Sequence, residues 1–304
     1  MTKVILVTGA TGKQGGSVID ALLDQTGDIE ILALTRNANS VSAQKLLNKS
    51  DKVKLVEGNL DQPDAIFENA RKATDLPIWG VFSVLVPIPG GKEDLEERQG
   101  KAMVDMALKN KVKYFVYTSV DRGGEASIDN PTLVPHFINK HNIEHHLMDS
   151  AKNTEMNWTI LRPTAFIDNL VPDFFGKMFT TSWKIAVKEK PLQVIAVSDI
   201  GFFGAQAFLK PDIYRGKCVS LAGDSLTYDE MARIFKNKTG QDVPTTFGFL
   251  SRLLMWMMKD FGYMFQWFYD SGYNADIQAL RKVHPGLKDF STWLDTESVF
   301  TTTK

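Results

Sequence analysis

His136 and Lys140, in the segment PHFINK, have the residue types and the spacing of an acid–base pair on one face of a helix. In many carbonyl reductases a Tyr lies one helical turn before a Lys. There the Tyr hydroxyl donates a proton to the carbonyl oxygen, and the Lys binds the ribose of the cofactor. This chain has the Lys but carries a His in place of the Tyr. We therefore expect Lys140 to keep its cofactor-positioning role, whereas the identity of the proton donor is open.

His136 is a weak candidate for that proton donor. An imidazole suits proton transfer near neutrality, but its ring is shorter than a phenol, and Pro135 indicates that the helix only begins there. Ser119 ends a β-rich run at a position where many reductases keep a hydroxyl that orients the substrate carbonyl, with a strand-end residue bonded to backbone as the alternative. The weak catalytic candidates are His136, Lys140 and Ser119.

The segment VTGATGKQGG places glycines between a hydrophobic run and an amphipathic stretch. Glycines at this spacing permit a tight turn and let backbone amides approach a pyrophosphate, and the following helix N-terminus adds a favourable positive potential. A purely structural glycine turn is the alternative. The predicted cofactor-binding residues of this segment are Gly9, Thr11, Gly12, Lys13, Gln14 and Gly15. Lys13 could add a positive charge for the cofactor, with a solvent-facing loop lysine as the alternative.

The end of the second β-rich run indicates which dinucleotide would bind. An enzyme that uses NAD usually offers Asp or Glu to the ribose 2′-hydroxyl at this point, but this chain offers Thr35 and Arg36. A guanidinium can bind a 2′-phosphate through charge-assisted hydrogen bonds and can stack on adenine. We therefore expect NADP(H) to be preferred over NAD(H).

Short β-rich runs alternate with amphipathic stretches over the first half of the chain, which is the pattern of βαβ units around a parallel sheet. Because these runs are nearly continuous in apolar residues, we expect helices to cover both faces of the sheet. The predicted strands are 3–9, 30–36, 53–59, 78–84, 113–119 and 157–163.

The pattern changes after Pro163, where aromatic residues become dense. We predict a Rossmann-type nucleotide-binding domain over 1–163 and a smaller, discontinuous lobe over 164–304. Residues 192–210 have the pattern of a strand and a helix that return to the main sheet, so we expect the first domain to include them as well. The apolar segment 247–273 carries too many charges for a membrane span and predicts helix, either as a cover over a cleft or partner surface or as ordinary core.

Net charge, cysteine content and histidine spacing bear on which ligands and cell compartments the sequence favours. The net charge is -1, from 35 basic and 36 acidic residues, so we expect no direct nucleic-acid or membrane binding. The single cysteine, Cys218, cannot form an intramolecular disulfide, which fits a reducing compartment such as the cytosol or nucleus. His141 and His145 share a helix face, but no HExxH pattern accompanies them, and we expect no metal.

Several segments, taken in order, resemble the NmrA-like family of atypical short-chain dehydrogenase/reductases. The resemblance covers most of the chain and implies an α/β fold, a Rossmann-type parallel sheet flanked by helices with a smaller α/β C-terminal lobe, and a cleft that holds the cofactor. The segments are TGATGKQGG, LTRN, GNLD, ERQGK, VYTSVDRGG, VPHFINK, LRPTAFIDN and GYNADIQALRKVHPGLKDFSTWL.

The resemblance also implies roles for individual residues. Asn59 and Leu60 would flank the adenine, and Arg98 would reach the cofactor from its helix, unless Leu60 is ordinary core and Arg98 lies on a solvated helix face. Lys140 would bond the nicotinamide ribose. The residues implied at the nicotinamide half and at the closed end of the pocket are Phe82, Ser83, Val84, Thr164 and Phe166, of which Phe166 has core packing as its alternative.

Two hypotheses about function follow. The first is an NADP(H)-binding regulator with weak or no dehydrogenase activity, which senses cofactor state and contacts a protein partner; in fungal members of the family that partner is a GATA-type transcription factor. The second is an NADPH-dependent reductase of a small carbonyl or quinone-type substrate, in which Lys140, His136 or a water replaces the Tyr. The intact glycine turn beside a missing Tyr favours the first hypothesis.

Overall fold

The computed structural model describes residues 2–25, 27–85 and 93–302. The chain divides into two compact units. The first unit comprises Met1–Ser119, Asn139–Arg162 and Ile200–Val219. The second unit comprises Val120–Ile138, Pro163–Asp199 and Ser220–Lys304, so residues 120–138, which we expected in the first domain, belong to the second.

The first half of the chain forms alternating strands and helices. All six predicted strands are present, each within two residues of its expected bounds. The elements are β1 (Lys3–Val7), α1 (Lys13–Leu23), β2 (Ile29–Thr35), α2 (Val41–Leu47), β3 (Val53–Glu57), α3 (Pro63–Ala73), β4 (Ile78–Ser83), α4 (Leu95–Lys109), β5 (Tyr114–Thr118), α5 (Pro135–Ala151) and β6 (Asn157–Pro163).

The remaining elements are shorter. Helix α6 (Phe174–Ser182) runs into one π-helical turn, Trp183–Val187. The other elements are β7 (Ala165–Phe166), β8 (Leu192–Ile195), α7 (Val197–Leu209), α8 (Pro211–Tyr214), β9 (Lys217–Leu221), β10 (Asp224–Leu226), α9 (Tyr228–Thr239), α10 (Gly248–Met257), α11 (Lys259–Asp270), α12 (Ile277–Val283) and α13 (Phe290–Thr296), with short 3-10 helices at Gly124–Ile128 and Ile167–Asn169.

The main sheet has seven strands in the order β3-β2-β1-β4-β5-β6-β9. Neighbouring strands from β3 to β6 pair in parallel. The strand order reverses between β1 and β4, and in open α/β sheets ligands bind outside the carboxyl ends of the strands at this switch point. The expected fold class, a Rossmann-type sheet flanked by helices, is confirmed.

Helices cover both faces of this sheet. On one face, apolar side chains of α3, α4 and α5 join one buried cluster with the strands, including Phe67, Val104 and Ile143. On the other face, α1 and α7 pack closely, because an added Cβ at Gly204 would lie 2.8 Å from Val18. Residues Val4 to Val7 of β1 are completely buried, which explains their unbroken apolar run.

One strand assignment from the sequence is wrong. The strand expected to return to the main sheet within 192–210 is β8, which lies instead in a three-stranded sheet of order β10-β8-β7. The seventh strand of the main sheet is β9, a segment that the sequence did not predict as a strand. Helix α7 divides between the units, since residues from Ile200 onward belong to the first. An apolar run predicts a buried strand but not its hydrogen-bonding partner, so tertiary packing decided the pairing.

The second unit has an aromatic core, to which the dense aromatic residues after Pro163 contribute. Its buried cluster includes Phe179, Trp183, Phe265 and Trp267. The ring of Phe265 lies 5.9 Å from that of Phe179 and 5.3 Å from that of Phe268, distances typical of favourable aromatic pairs.

The segment 247–273 is helical, but its two halves differ. Helix α11 buries Phe265, Trp267 and Phe268 in the second-unit core, whereas α10 leaves Trp256 78% exposed and Met257 65% exposed. Among the described residues, no helix combines the length and hydrophobicity needed to cross a bilayer. Core packing therefore accounts for α11 and not for the outer face of α10.

Candidate functional site

The turn between β1 and α1 requires its glycines. Gly9 has a φ of +57°, and its carbonyl accepts a hydrogen bond from the Gly12 N–H at 2.9 Å. A Cβ at Gly15 would lie 2.3 Å from the Gly9 carbonyl oxygen, so only a glycine lets α1 approach the end of β1 this closely. These observations explain the spacing of the motif by close packing of helix and strand.

The first turn of α1 follows the glycine turn directly, beginning at Lys13. Gly12 is the N-cap and supplies no side-chain acceptor for the amides that follow it. The side chains of Thr11 and Lys13 are exposed at this end. The N–H groups of a helix's first turn and the helix dipole together favour a bound phosphate. Gln14 has a different contact, since its side-chain carbonyl accepts a 2.8 Å hydrogen bond from Thr118 at the end of β5.

Thr8, which the sequence analysis did not single out, joins the carboxyl ends of β1 and β4. Its hydroxyl donates to the Val84 carbonyl at 3.0 Å and accepts from the Val84 N–H at 2.8 Å. Phe82 and Ser83 are completely buried beside it, and a Cβ at Gly9 would lie 2.6 Å from Val84. Thr8 thereby fixes the position of the segment predicted to pass the nicotinamide. The available signal was a hydroxyl residue directly before the first glycine.

Arg36 lies just beyond the end of β2 with an exposed side chain. Within the described part of the chain its guanidinium has no hydrogen bond or ion pair, whereas the backbone beside it is fixed. The Ala38 N–H donates to the Glu57 carboxylate at 3.1 Å, and the Thr35 hydroxyl contacts the Asn37 backbone. A fixed loop that carries an uncommitted guanidinium can receive a phosphate.

Leu60, one of the predicted adenine residues, lines a groove between the end of β3 and α4, and Asn59 directly precedes it. The groove has a volume of about 530 Å³. Asn59 fixes the local turn, because its Oδ1 accepts from the Asp61 N–H at 3.2 Å, and Asp61 in turn accepts from Gln99 of α4 at 2.8 Å. The groove is lined by Leu60, Asp61, Pro63, Leu95, Arg98, Gln99 and Ala102.

Both alternatives for Leu60 and Arg98 have support in this groove. Leu60 packs partly against the main core and also lines the groove. Arg98 is exposed and forms a 3.0 Å ion pair with Asp94, one turn earlier on α4. Such a surface pair stabilises the fold by about 1 kcal/mol or less, so a ligand could displace it.

Lys140 forms an ion pair that the sequence analysis missed. Its Nζ lies 2.7 Å from Oε1 of Glu96 on α4, and the two side chains are 10% and 3% exposed. The same ammonium lies 6.0 Å from the centre of the Tyr117 ring. The sequence contains two adjacent glutamates here, and nothing in it shows that Glu96 faces inward while Glu97 pairs with Lys101 nearer the surface.

His136 is at the start of α5, which begins at Pro135 as expected. Its Nδ1 lies 2.7 Å from Oδ1 of Asp260, and its backbone N–H donates to the same oxygen at 3.1 Å. Both residues belong to the second unit. Burial alone would raise the pKa of Asp260, but the hydrogen bonds and charge of His136 outweigh burial and hold this pKa below its usual value.

The other predicted site residues have local backbone contacts. The N–H of Ser119, in the first unit, donates to the Leu161 carbonyl at 2.7 Å. Thr164, in the second unit, directs both its N–H and its hydroxyl to the Leu221 carbonyl, at 3.0 and 3.1 Å. Phe166 is half-buried in β7 of the second unit. These contacts leave the proposed ligand roles of the three residues as predictions.

The segment VDRGG stabilises a loop of the second unit. Arg122 is completely buried, and its guanidinium donates to the backbone carbonyls of Val120, Ser127 and Asn130. The Asp121 carboxylate accepts from the N–H groups of Gly123, Gly124 and Asn274. Asn274 belongs to the tail segment GYNAD, so these two motifs are brought together by a structural contact.

Two histidines of α5 lie close together. The rings of His141 and His145 lie 4.4 Å apart, as their spacing predicts. Within residues 2–25, 27–85 and 93–302, no group of three or more His, Cys, Asp or Glu side chains is placed to hold a metal ion.

Comparisons with known proteins agree with this architecture. The NmrA-like oxidoreductase hkm9 of Aspergillus hancockii is 26% identical over 260 residues, which cover 79% of this chain and 73% of that protein. The triphenylmethane reductase of Citrobacter sp., solved with NADP(H), superposes with a TM-score of 0.74 at 16% identity, over 97% of this chain and 99% of that one. NmrA, a negative transcriptional regulator solved with NAD, gives a TM-score of 0.68 at 16% identity, over 98% and 94%.

The sequence profile of the NmrA-like family matches residues 1–294, nearly the whole chain. The protein therefore belongs to the NmrA-like family.

Proposed function

We propose that the protein binds NADP(H) in preference to NAD(H) at the carboxyl ends of the first-unit strands. The observation that carries this proposal is Arg36, whose exposed guanidinium has no partner in the described ranges and follows β2, where the ribose 2′-position of a dinucleotide is recognised. The glycine turn and the N-terminus of α1, which Gly12 caps without a side-chain acceptor, support a pyrophosphate beside it. The structural neighbours include proteins solved with NADP(H) and with NAD, so the preference rests on Arg36.

We further propose that the protein is a cofactor-sensing regulator with weak or no dehydrogenase activity. The position of the expected Tyr carries His136, whose Nδ1 is engaged by Asp260. Lys140 is buried with Glu96, which suits positioning of a ribose better than proton donation. The resemblance to a negative transcriptional regulator supports a protein partner such as a transcription factor, in the cytosol or nucleus.

A reductase is the second candidate, and one observation favours it. Asp260 orients the His136 imidazole, and the ring Nε2 has no hydrogen bond with the described residues. An imidazole held by a carboxylate at one nitrogen can exchange a proton at the other, as in catalytic triads. Relatives named oxidoreductases and the triphenylmethane reductase are consistent with this alternative.

Two measurements separate the candidates. Calorimetry with NADPH, NADP⁺, NADH and NAD⁺ tests the site itself, and equal affinities for NADPH and NADH would refute the stated preference. A screen of NADPH absorbance against quinones, aldehydes and unsaturated ketones tests turnover. Saturable turnover with any of them would establish the reductase, whereas tight binding without turnover supports the regulator.

A further inference from the structure

Glu96 is an ionisable group in the interior of the first unit that the proposed function does not yet use. Its side chain is 3% exposed, and both carboxylate oxygens are buried without a well-aligned hydrogen bond in the described chain. A charge in this environment is costly unless an opposite charge accompanies it. The Lys140 ammonium, 2.7 Å away, supplies that charge.

Glu96 and the adjacent Glu97 differ in their partners and in their exposure. Glu97, the next residue of α4, pairs with Lys101 one turn later and accepts a 2.8 Å hydrogen bond from Asn142. Glu96 instead faces inward from the first turn of α4, where the helix dipole also favours a carboxylate. Its ionic contact is therefore with the residue predicted to bind the ribose.

The contact with Glu96 places the Lys140 ammonium near two strands of the main sheet. Lys140 Nζ lies 6.0 Å from the ring centre of Tyr117, and Tyr117 is the register partner of Ser83 across β5 and β4. The Ser83 hydroxyl is buried and has no hydrogen-bond partner among the described residues. The ammonium is thus held beside the carboxyl ends of β4 and β5, the sheet edge at which dinucleotides bind.

We propose that Glu96 is a positioning residue, which holds the Lys140 ammonium in place to bind the nicotinamide ribose. This inference rests on the proposed dinucleotide binding. A lysine side chain loses considerable rotamer freedom when it is fixed, and a pre-formed contact removes that cost from the binding step. An ammonium has three donors, so the contact with Glu96 leaves donors for the ribose hydroxyls.

The test compares two ligands that differ at the ribose in question. NADPH carries the nicotinamide ribose, and adenosine 2′,5′-bisphosphate lacks it. Glu96→Gln is expected to weaken NADPH binding about ten-fold or more and to leave adenosine 2′,5′-bisphosphate binding unchanged, both measured by calorimetry. Glu97→Gln is the matched control and should change neither affinity.

A double-mutant cycle tests whether Glu96 acts through Lys140. In a Lys140→Met background, adding Glu96→Gln should cause little further loss of NADPH affinity. An equal loss in both backgrounds would show that Glu96 acts independently, and parent-like NADPH binding by Glu96→Gln would also overturn the inference. If Glu96→Gln fails to fold, Glu96→Leu/Lys140→Met, which removes both buried charges, is compared with Lys140→Met instead.

The results that would refute dinucleotide binding differ from those that would refute the role of Glu96. If the parent protein binds neither NADPH nor NADH, dinucleotide binding is refuted, and this inference is refuted with it. If the parent binds NADPH and Glu96→Gln loses both ligands equally, then Glu96 maintains the fold rather than the ribose contact.

Discussion

The Asp260 carboxylate holds His136 at two points, with Oδ1 lying 3.1 Å from the backbone N and 2.7 Å from Nδ1 of the ring. The two residues are 124 positions apart in sequence. Asp260 therefore satisfies a free amide at the start of α5 and orients the imidazole in the same contact. Through this contact, His136 at the start of α5 is bonded to Asp260 at the start of α11.

Replacing His136 should leave cofactor binding intact, because its ring Nδ1 already contacts the Asp260 carboxylate. We expect His136→Ala to leave NADPH affinity and any trace reductase rate nearly unchanged, whereas Lys140→Ala weakens NADPH binding. Calorimetry and NADPH absorbance measure the two effects. A fall of about 10² or more in a saturable turnover rate for His136→Ala, at unchanged cofactor affinity, would identify His136 as a general acid.

The contact between Asp260 and His136 also predicts a pH dependence of stability. The pKa of Asp260 in the folded protein lies below its ordinary value of 3.8, so the unfolded chain binds the proton more readily. The stabilisation is then fully present above the ordinary pKa and is lost as pH falls through the lower, folded value. The difference in unfolding free energy between the parent and Asp260→Asn, from urea titrations, should therefore shrink as the pH falls below the ordinary pKa of 3.8. A difference that stays constant over this range would contradict the assignment.

Arg36 should determine the preference between the two dinucleotides. A hydrogen bond to a charged group contributes about 1.5 to 3 kcal/mol, so Arg36→Ala should remove about ten-fold or more of the preference for NADPH over NADH. Isothermal calorimetry on parent and variant measures both affinities. Arg98→Ala provides a comparison, since Arg98 already pairs with Asp94. An unchanged NADPH-to-NADH ratio in Arg36→Ala would exclude a 2′-phosphate contact.

Adjacent glycines of α1 provide a matched pair for testing the turn. A Cβ at Gly15 would lie 2.3 Å from the Gly9 carbonyl oxygen, whereas a Cβ at Gly16 would lie 3.4 Å from the nearest oxygen, that of Ala10. Gly15→Ala should cost about 1 to 3 kcal/mol of stability through overpacking and weaken dinucleotide binding. Gly16→Ala should be tolerated. Chemical denaturation and calorimetry measure both effects, and equal behaviour of the two variants would refute the close approach.

Two tryptophans of the 247–273 segment should differ in their contribution to stability. Trp267 is 8% exposed within the second-unit core, whereas Trp256 is 78% exposed on α10. Trp267→Ala should cost about 3 to 5 kcal/mol, and Trp256→Ala should stay within about 0.5 kcal/mol of the parent. Thermal and denaturant unfolding provide the comparison. A large destabilisation by Trp256→Ala would mean that the outer face of α10 is covered in solution.

The sequence alone determined the glycine turn, the six strands that precede residue 164 and the placement of Arg36 after β2. Each depends on local patterns: the spacing of glycines, continuous apolar runs and the residue that ends a strand. These patterns are readable because a buried parallel strand must be apolar over nearly its whole length, and because close approach of backbone at Gly9 and Gly15 excludes a side chain.

Tertiary structure decided which groups meet. The sequence predicted that β8 would join the main sheet, but β9 takes that position, because an apolar run does not specify which neighbour it pairs with. Asp260 reaches His136 from a different helix, and Glu96, rather than the adjacent Glu97, reaches Lys140. A charged group in the interior requires a partner, but only the packing of helices that are distant in sequence determines which carboxylate supplies it.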